Sequence, residues 1–347
     1  SDLDNLHTSG NVRLYALRIT DTLGAGAFGT VFRVEDVRGR GPGRVYAMKL
    51  QRRLNRTAAA REARVMAKHP HPYIVTFVKC FQTKTFLGML MECCRCNLNE
   101  EVLQESCSST TRPGLPHGKV AKYLVCVAFA LRFLHSRWIL LRDLKPENIL
   151  ISFSGVAKVS DLGLARDFSP QLSEAMDGTR RNSDSGGPTS SLRPTSVTQR
   201  RGTPVFMAPE ALVPGEVIPD TSDKARFLWF ASRDWFALGL CLRVMYLGEA
   251  GNRVKLEHGR HVLLPIGDTV EAFAQARVQV EPQVRQLAVG LTHQLVAGRF
   301  GAAEVLGSDW CAAAVEEYGK VVPIIESDVE QTESAGAGSS GVGDAQA

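Results

Sequence analysis

The hydrophobic pattern between residues 13 and 91 is that of a β-sheet. Short runs rich in β-branched and aromatic residues occur at 14–19, 30–34 and 45–50, and glycines separate the first two runs. Such runs predict strands. One helix interrupts them after residue 56, where Thr57 is a suitable N-cap and three alanines follow it.

After residue 96 the apolar positions recur at helical spacing. The stretches 119–135, 235–246 and 284–296 have this pattern and predict helices. The fold class expected is therefore α+β, with a small sheet-rich lobe that precedes a larger, mainly helical lobe. The length of 347 residues agrees with two such units.

The composition is that of a globular protein. Apolar residues make up 44% and charged residues 22%, which excludes collagen, a coiled coil and disorder of the whole chain. The longest apolar stretch, near 236–241, is flanked by Asp234 and Arg243 and is far shorter than the ~20 residues of a membrane span. No membrane span is predicted.

Eight cysteines are present, and three of them form the run Cys93, Cys94 and Cys96. A zinc site needs a second Cys or His pair at ligand spacing, and the sequence has none. Free thiols in a reducing compartment are the simpler interpretation, which predicts an intracellular protein of the cytoplasm or the nucleus.

Three segments have little capacity to build a core. Residues 1–12 are polar, and residues 168–201 contain eleven Ser or Thr residues and three prolines. Residues 326–347 carry five acidic residues and no Lys or Arg, which is typical of a disordered acidic tail. A flexible N-terminus, a flexible internal insert and a disordered tail are expected.

A glycine-rich turn lies between the first two predicted strands. Gly24, Gly26 and Gly29 form a GxGxxG pattern, which alone is a weak signal. In a dinucleotide-binding fold the third glycine begins a helix, whereas Gly29 leads into a strand. The context is typical of a hairpin that closes over nucleotide phosphates, and an ordinary tight hairpin is the alternative.

Lys49 lies inside an apolar strand, where an unpaired charge is costly. Glu62 is on the predicted helix that follows, so a Lys49–Glu62 ion pair would orient the ammonium group toward phosphates. The alternative is an exposed lysine at a strand end and a solvated glutamate.

The segment 141–150, LRDLKPENIL, concentrates Asp, Lys and Asn in a turn between a helix and a strand, and Asp161 follows in the segment 161–163, DLG. Together with the glycine-rich turn and Lys49, these motifs resemble the eukaryotic protein kinases of the Ser/Thr-specific type. The resemblance covers about residues 15–310 in the family's order. No subfamily is assigned.

The resemblance implies a kinase domain over 13–320. Its small lobe would cover 13–92, its hinge about 92–96 and its large lobe 97–320, with an activation segment at 161–210. The flexible insert 168–201 falls within that segment.

The resemblance also implies the roles of the catalytic and metal residues. Asp143 orients the substrate hydroxyl and accepts its proton, and Lys145 lies near the transferred phosphoryl group. Asn148 and Asp161 are the side-chain ligands of Mg²⁺, with Mn²⁺ as an alternative. Phosphoryl transfer then depends mainly on positioning and charge neutralisation.

ATP is the implied co-substrate. Lys49, oriented by its partner Glu62, would contact the α- and β-phosphates, and Met91 would be the hinge gatekeeper. The implied nucleotide-binding residues are Leu23, Gly24, Ala25, Gly26, Ala27, Phe28, Gly29, Val31, Ala47, Lys49, Met91, Glu92, Cys94, Leu150 and Asp161.

By the resemblance, two features are those of family members that phosphorylate Ser or Thr of protein substrates. Lys145 follows the catalytic Asp-Leu, and Thr203 precedes the segment 208–210, APE, at the substrate site. By the same resemblance, Glu210 pairs with Arg299 in a structural contact, and 234–239 is the motif of a buried helix.

The long activation segment suggests a phosphorylation switch. Arg142 precedes Asp143 as in kinases whose loop is ordered by a phosphate, and a phosphate attracts Arg. Ser196 and Thr198 are the principal candidate phosphosites, with Ser183 and Ser185 as further ones. A passive insertion is the alternative.

Leu141 stands where the family usually has His or Tyr. By resemblance this position belongs to an apolar column with Met66, Phe77 and Leu162, and Leu can fill it by burial alone.

The net charge of +5 is unevenly distributed. Residues 38–68 carry ten Lys or Arg and one acid, Glu62. This segment is either a solvated basic face or a docking patch for an acidic or phosphorylated partner. No nucleic-acid motif is evident, so no nucleic-acid partner is predicted.

The predicted function is a Ser/Thr protein kinase that uses ATP and is regulated through its long activation loop. A scaffold or binding module of the same fold is the alternative, and the complete set of catalytic residues argues against it. A small-molecule kinase of related fold is disfavoured by the complete 208–210 segment and the glycine-rich turn.

Overall fold

The computed structural model describes the following residues: 17–26, 29–37, 43–52, 56–82, 86–109, 113–168, 203–212, 222–248, 255–257, 260–262, 273 and 280–322. The strands are β1 (Leu17–Gly26), β2 (Gly29–Asp36), β3 (Val45–Arg52), β4 (Phe77–Gln82), β5 (Phe86–Glu92), β6 (Cys96–Asn97), β7 (Ile139–Leu140), β8 (Ile149–Ile151), β9 (Ala157–Val159), β10 (Arg166–Asp167), β11 (Lys255–Glu257) and β12 (Arg260–Val262). The helices are α1 (Arg56–Lys68), α2 (Leu98–Ser108), α3 (His117–Ser136), α4 (Pro209–Leu212), α5 (Asp223–Leu247), α6 (Pro282–Leu291), α7 (Ala302–Leu306) and α8 (Ala312–Gly319).

The N-terminal part is a five-stranded antiparallel sheet in the order β1-β2-β3-β5-β4. Side chains alternate between the two faces of a strand. On β3, Met48 and Leu50 belong to a small apolar cluster, whereas Lys49 and Gln51 both contact Glu62 of α1. The period of two therefore places Lys49 on the face that carries the helix.

The predicted helix between β3 and β4 is present, but α1 begins at Arg56, so Thr57 is a helical residue and not its N-cap. The segment after α1 is hydrogen bonded to β9. Val75 donates its N–H to the carbonyl of Val159 at 2.9 Å, and Val159 donates to the carbonyl of Tyr73 at 2.9 Å. This parallel bridge fixes the helix-bearing part against the strand that leads into Asp161.

The C-terminal part is built around α3 and α5, which are buried along most of their length. One apolar cluster runs from α1 through both helices to α6, and it includes Met66, Leu141 and Leu162, with Phe77 packed against it. The apolar column expected from the sequence therefore lies in one continuous core. None of the described helices has the length and apolarity that a membrane span requires.

The stretch 284–296, predicted as one helix, divides in the structure. Helix α6 ends at Leu291, and the next residues form a turn whose carbonyl groups are used elsewhere. The guanidinium group of Arg299 donates to the carbonyls of His293 and Gln294, at 3.1 and 3.3 Å. A continued helix would have used these carbonyls for its own hydrogen bonds.

Candidate functional site

Lys49 joins residues from both parts of the fold. Its Nζ lies 2.8 Å from Oε1 and 3.0 Å from Oε2 of Glu62, so the predicted ion pair is present. The same Nζ donates to Oδ1 of Asp161 at 2.8 Å. Gln51 also donates to Oε2 of Glu62, at 3.3 Å. Sequence reasoning missed this contact, although Gln51 lies two positions after Lys49 on β3 and therefore on the same face of the strand.

Both partners of the Lys49–Glu62 pair are buried, at 7% and 1% exposure. Burial lowers the pKa of Lys49, but the carboxylates of Glu62 and Asp161 outweigh it, and the pKa is raised overall. Burial raises the pKa of Glu62, and the charge of Lys49 opposes that shift. Lys49 is therefore a fixed cation between two carboxylates at neutral pH.

Asp161 has a left-handed backbone conformation with a φ of 53°. It precedes the 3₁₀ turn Leu162–Leu164 and lies two residues after the end of β9. A Cβ on Gly163 would lie 3.2 Å from Oδ1 of Asp161 and 3.3 Å from Oε2 of Glu62. The missing side chain at this position leaves room for the two carboxylates to share Lys49.

The carboxylate of Asp143 is held by three side chains. Oδ1 accepts the backbone N–H of Thr203 at 2.8 Å and its hydroxyl at 3.0 Å. Oδ2 accepts from Lys145 at 3.0 Å and from Asn148 at 3.3 Å. Lys145 also donates to the hydroxyl of Thr203 at 2.8 Å. The structure thus brings together four residues predicted from two separate motifs.

The amide of Asn148 is oriented by Asp143. Its Nδ2 donates to the carbonyl of Asp143 at 2.8 Å as well as to the carboxylate. Because the nitrogen is used in this way, Oδ1 remains as an oxygen donor. This oxygen and the second carboxylate oxygen of Asp161 are hard oxygen atoms, the ligand type that Mg²⁺ prefers, so the donor chemistry of the two residues suits a magnesium ion.

The loop that carries Asp143 is fixed by a buried carboxylate on α5. Asp234 accepts the N–H groups of Leu141 at 2.9 Å and Arg142 at 2.8 Å, and lies 2.9 Å from Nε2 of His135. Arg142 has a φ of 75°, a conformation that non-glycine residues rarely adopt. The sequence signal for the role of Asp234 was its position in an otherwise apolar helical run. Its contacts with Leu141 and Arg142 were not predicted.

The glycine-rich turn is a β1–β2 hairpin in which Gly26 pairs with Gly29. Gly29 has a φ of 126°, and a Cβ there would lie 2.1 Å from the carbonyl oxygen of Leu50, so a side chain does not fit. At Gly24 and Gly26 a Cβ would meet no atom within 4 Å. Leu23 and Ala25 are exposed on β1, and Ala27 and Phe28 lie outside the described residues.

Around the expected hinge, Ala47 pairs with Met91 across β3 and β5, and both side chains are buried. Val31 of β2 and Leu150 of β8 are half-buried.

The Glu92 carboxylate accepts from Nζ of Lys158 and from the backbone N–H of Thr76, each at 2.6 Å, so its hydrogen-bond donors are groups of the protein itself. Burial raises the pKa of the Cys94 thiol to about 12. All eight cysteines are free, and no group of three or more His, Cys, Asp or Glu side chains in the described residues could hold a metal.

The predicted contact between Glu210 and Arg299 is a two-point ion pair. The N–O distances are 2.7 and 2.9 Å, and the Arg299 side chain is fully buried. The pair ties the segment that contains Thr203 to the end of the helical part. The candidate phosphosites Ser196 and Thr198, like Ser183 and Ser185, lie outside the described residues.

Comparison with known proteins agrees with this geometry. The sequence is 35% identical over 190 residues to the putative ribosomal protein S6 kinase alpha-1 of Caenorhabditis elegans, which covers 52% of this chain and 22% of that protein. It is 31% identical over 237 residues to the serine/threonine-protein kinase nrc-2 of Neurospora crassa, which covers 65% of this chain and 35% of the relative. It is 30% identical over 233 residues to the rhodopsin kinase GRK7 of Bos taurus, with coverages of 65% and 35%.

The chain therefore spans about a fifth to a third of the length of these relatives. The family described as the protein kinase domain matches residues 17–311, which is most of the chain. The architecture and the arrangement around Lys49 and Asp143 agree with this match. The chain belongs to the protein kinase family.

Proposed function

We propose that this chain is an ATP-dependent protein kinase that phosphorylates Ser and Thr side chains of protein substrates. The observation that carries the proposal is the Asp143 carboxylate, whose oxygens are held by Lys145, Asn148 and Thr203. A carboxylate oriented in this way is suited to align a hydroxyl group and to accept its proton.

In the proposed reaction, the substrate hydroxyl oxygen forms a bond to the γ-phosphorus of ATP. The bond between that phosphorus and the bridging oxygen breaks, and ADP leaves with the electron pair. The hydroxyl proton passes to Asp143. Lys145, 3.0 Å from Asp143, is close enough to neutralise charge on the transferred group.

Lys49 binds the α- and β-phosphates in this proposal, because Glu62 and Asp161 hold its ammonium group in one place. Asn148 and Asp161 would hold Mg²⁺, which supplies charge neutralisation on the phosphates when bound. The two side chains give few protein ligands, in keeping with an ion that retains water and phosphate oxygens.

Thr203 supports the choice of Ser and Thr substrates. Its hydroxyl lies between Lys145 and Asp143, at 2.8 and 3.0 Å. This contact holds the segment before α4 next to the proposed base.

The test is a transfer assay with radiolabelled ATP, Mg²⁺ and generic Ser/Thr protein substrates. Wild type is expected to transfer label to Ser and Thr, and Asp143→Asn to lose about 10²- to 10⁴-fold, the usual contribution of a positioned base. Phosphoamino-acid analysis separates Ser/Thr from Tyr products. If the wild type transfers no label even after phosphorylation of its loop, the scaffold alternative is correct.

We also propose that phosphorylation of the long activation segment regulates the enzyme, at Ser196 or Thr198. The support is Arg142, which lies directly beside Asp143 and is held by the Asp234 contact. Mass spectrometry of the active protein is expected to find phosphate at one of these sites, and Ser196→Ala with Thr198→Ala to lower activity. An unmodified and fully active protein would contradict the switch.

The basic segment 38–68 is proposed to dock an acidic or phosphorylated partner. On α1, Arg61, Arg64 and Lys68 are exposed at helical spacing, and none of them pairs with an acid in the described part of the chain. The acidic stretch 326–347 is one candidate occupant. Deletion of 326–347 should change activity at low salt and not at high salt, because ions screen such contacts. Equal effects at both salt concentrations would favour a solvated face.

A further inference from the structure

A buried carboxylate lies on the helix that follows the hinge and takes no part in the site described above. Glu101, in the first turns of α2, is only 3% exposed. Its Oε2 accepts from the guanidinium group of Arg95 and lies 3.6 Å from Sγ of Cys96. Its Oε1 accepts from Nζ of Lys119 and from the hydroxyl of Tyr123, each at 3.1 Å.

These contacts connect three elements. Arg95 and Cys96 lie at the end of the expected hinge, and Lys119 and Tyr123 belong to α3. Burial by itself raises the pKa of Glu101, but hydrogen bonds from Arg95 and Lys119 lower it overall, so the group is a carboxylate at neutral pH. Its negative charge is therefore what orders the cationic side chains.

The segment 95–97 is paired with β8, which carries Leu150, one of the expected nucleotide-binding residues. Arg95 donates its N–H to the carbonyl of Ile151 at 2.8 Å, and Asn97 pairs with Leu150. Asn97 also caps α2: its Oδ1 accepts from the N–H of Glu100 at 2.9 Å. The backbone of 95–97 is thus fixed to β8 on one side and to α2 on the other. Glu101 holds the side chain of Arg95, the first residue of this segment.

A buried ionic network contributes little net stability compared with an apolar core of equal volume. Its best-supported use is to select one conformation. Here the selected conformation is that of the hinge, where Glu92 and Cys94 are nucleotide-binding residues by the family resemblance. We propose that Glu101 is a positioning residue for nucleotide binding, which acts through Arg95 to set the geometry of the hinge. This inference rests on the proposed function.

The chain offers a matched control. Glu105 lies one helical turn further along α2 and accepts from Lys119 at 2.8 Å, whereas the carboxylate that pairs with Arg95 is that of Glu101. Glu101→Gln and Glu105→Gln are the same chemical change, and only the first removes the charge that faces the hinge. Arg95→Gln breaks the same contact from the more exposed side, since the Arg95 side chain is 39% exposed.

The experiment measures the dissociation constant of a fluorescent ATP analogue with Mg²⁺ for the full chain, together with kcat, KM for ATP and the melting temperature. Glu101→Gln is expected to raise the dissociation constant and KM for ATP by about 5- to 10-fold, the size of one lost charge-assisted hydrogen bond, with kcat within about twofold. Glu105→Gln should leave the dissociation constant within about twofold of wild type. Arg95→Gln should match Glu101→Gln, and the double variant should be no weaker than either single variant, since both remove one contact.

A lower melting temperature with an unchanged dissociation constant would show a structural brace only and overturn the inference. If Glu101→Gln does not fold, Arg95→Gln decides the question by the same criterion. If the wild-type chain binds the analogue and all three variants have the wild-type dissociation constant, the inference is overturned and the proposed function stands. A wild-type chain that binds no nucleotide would overturn the proposed function and the inference with it.

Discussion

Thr203 donates both its backbone N–H and its hydroxyl to one oxygen of Asp143, at 2.8 and 3.0 Å. The two residues are 60 positions apart in the chain. The contact joins the loop after α3 to the segment before α4, and it makes the hydroxyl of Thr203 part of the environment of the proposed base.

Removal of this hydroxyl should slow phosphoryl transfer. Thr203→Val keeps the side-chain shape but leaves Lys145 and Asp143 without their shared partner. A fall in kcat of about 10-fold or more is expected, since 1.4 kcal/mol of lost positioning corresponds to tenfold. Thr203→Ser keeps the hydroxyl and should stay within about threefold of wild type. An unchanged kcat in Thr203→Val would show that the hydroxyl makes no contribution to transfer.

The Glu210–Arg299 pair should matter for stability. Glu210→Gln leaves the fully buried guanidinium group of Arg299 without its carboxylate, and the free energy of unfolding should fall by about 3 kcal/mol. Urea denaturation measures this change. The matched control is Glu316→Gln, which breaks an exposed pair with Lys320 at 3.8 Å and should cost less than about 0.5 kcal/mol. Similar losses in the two variants would contradict the role of burial.

Asp234 should couple stability to catalysis. In Asp234→Asn, an NH₂ group faces backbone N–H donors that need an acceptor, so about 2–3 kcal/mol of stability should be lost. The strained backbone of Arg142 would relax, and kcat should fall with it. Asp223→Asn, in the exposed first turn of the same helix, should cost less than about 1 kcal/mol. Retention of full kcat in Asp234→Asn would show that the loop is held by other contacts.

His71 should make the fold sensitive to acid. Burial, together with the positive charges of Arg137 and Arg132, lowers its pKa from 6.5 to about 4. The unfolded chain therefore binds a proton between these values that the folded chain does not, so stability falls as the pH decreases from 6.5 to 4. At pH 5 the loss is about 2 kcal/mol relative to pH 7.

The measurement is the melting temperature of wild type and His71→Asn between pH 5 and 7. The Nδ1 of His71 accepts the backbone N–H of Tyr73 at 3.2 Å, and Asn carries an oxygen that can replace it. The wild type should lose more stability than the variant over this interval. Parallel pH profiles would assign the acid sensitivity to other groups.

Much of the candidate site could be predicted because its signals are local. The Lys49–Glu62 pair spans 13 positions, and the strand and helix that carry the two residues follow from short patterns. Asp143, Lys145 and Asn148 lie within one turn, so their proximity is already given by spacing. The ion pair of Glu210 with Arg299 spans 89 positions and was predicted only through the family resemblance.

Other contacts could not be predicted because they depend on how distant segments pack. Asp161 reaches Lys49 across 112 positions, through the bridge between β9 and the segment before β4. The carboxylate of Asp234 meets the N–H of Leu141 across 93 positions. Neither pattern nor spacing identifies such partners, because nothing in the sequence distinguishes the carboxylate that makes a given contact from the other buried carboxylates.

The sequence alone determined the α+β class, the first three strands with the helix that follows them, and the residue types of the proposed chemistry. These properties follow from periodicity and from motifs in which a few neighbouring residues act together. The tertiary structure decided which donors surround each carboxylate, from Thr203 at Asp143 to Arg95 at Glu101. The physical reason is that a buried charge must be satisfied by whichever groups the packed elements bring within hydrogen-bond distance, and that distance is set by the whole fold.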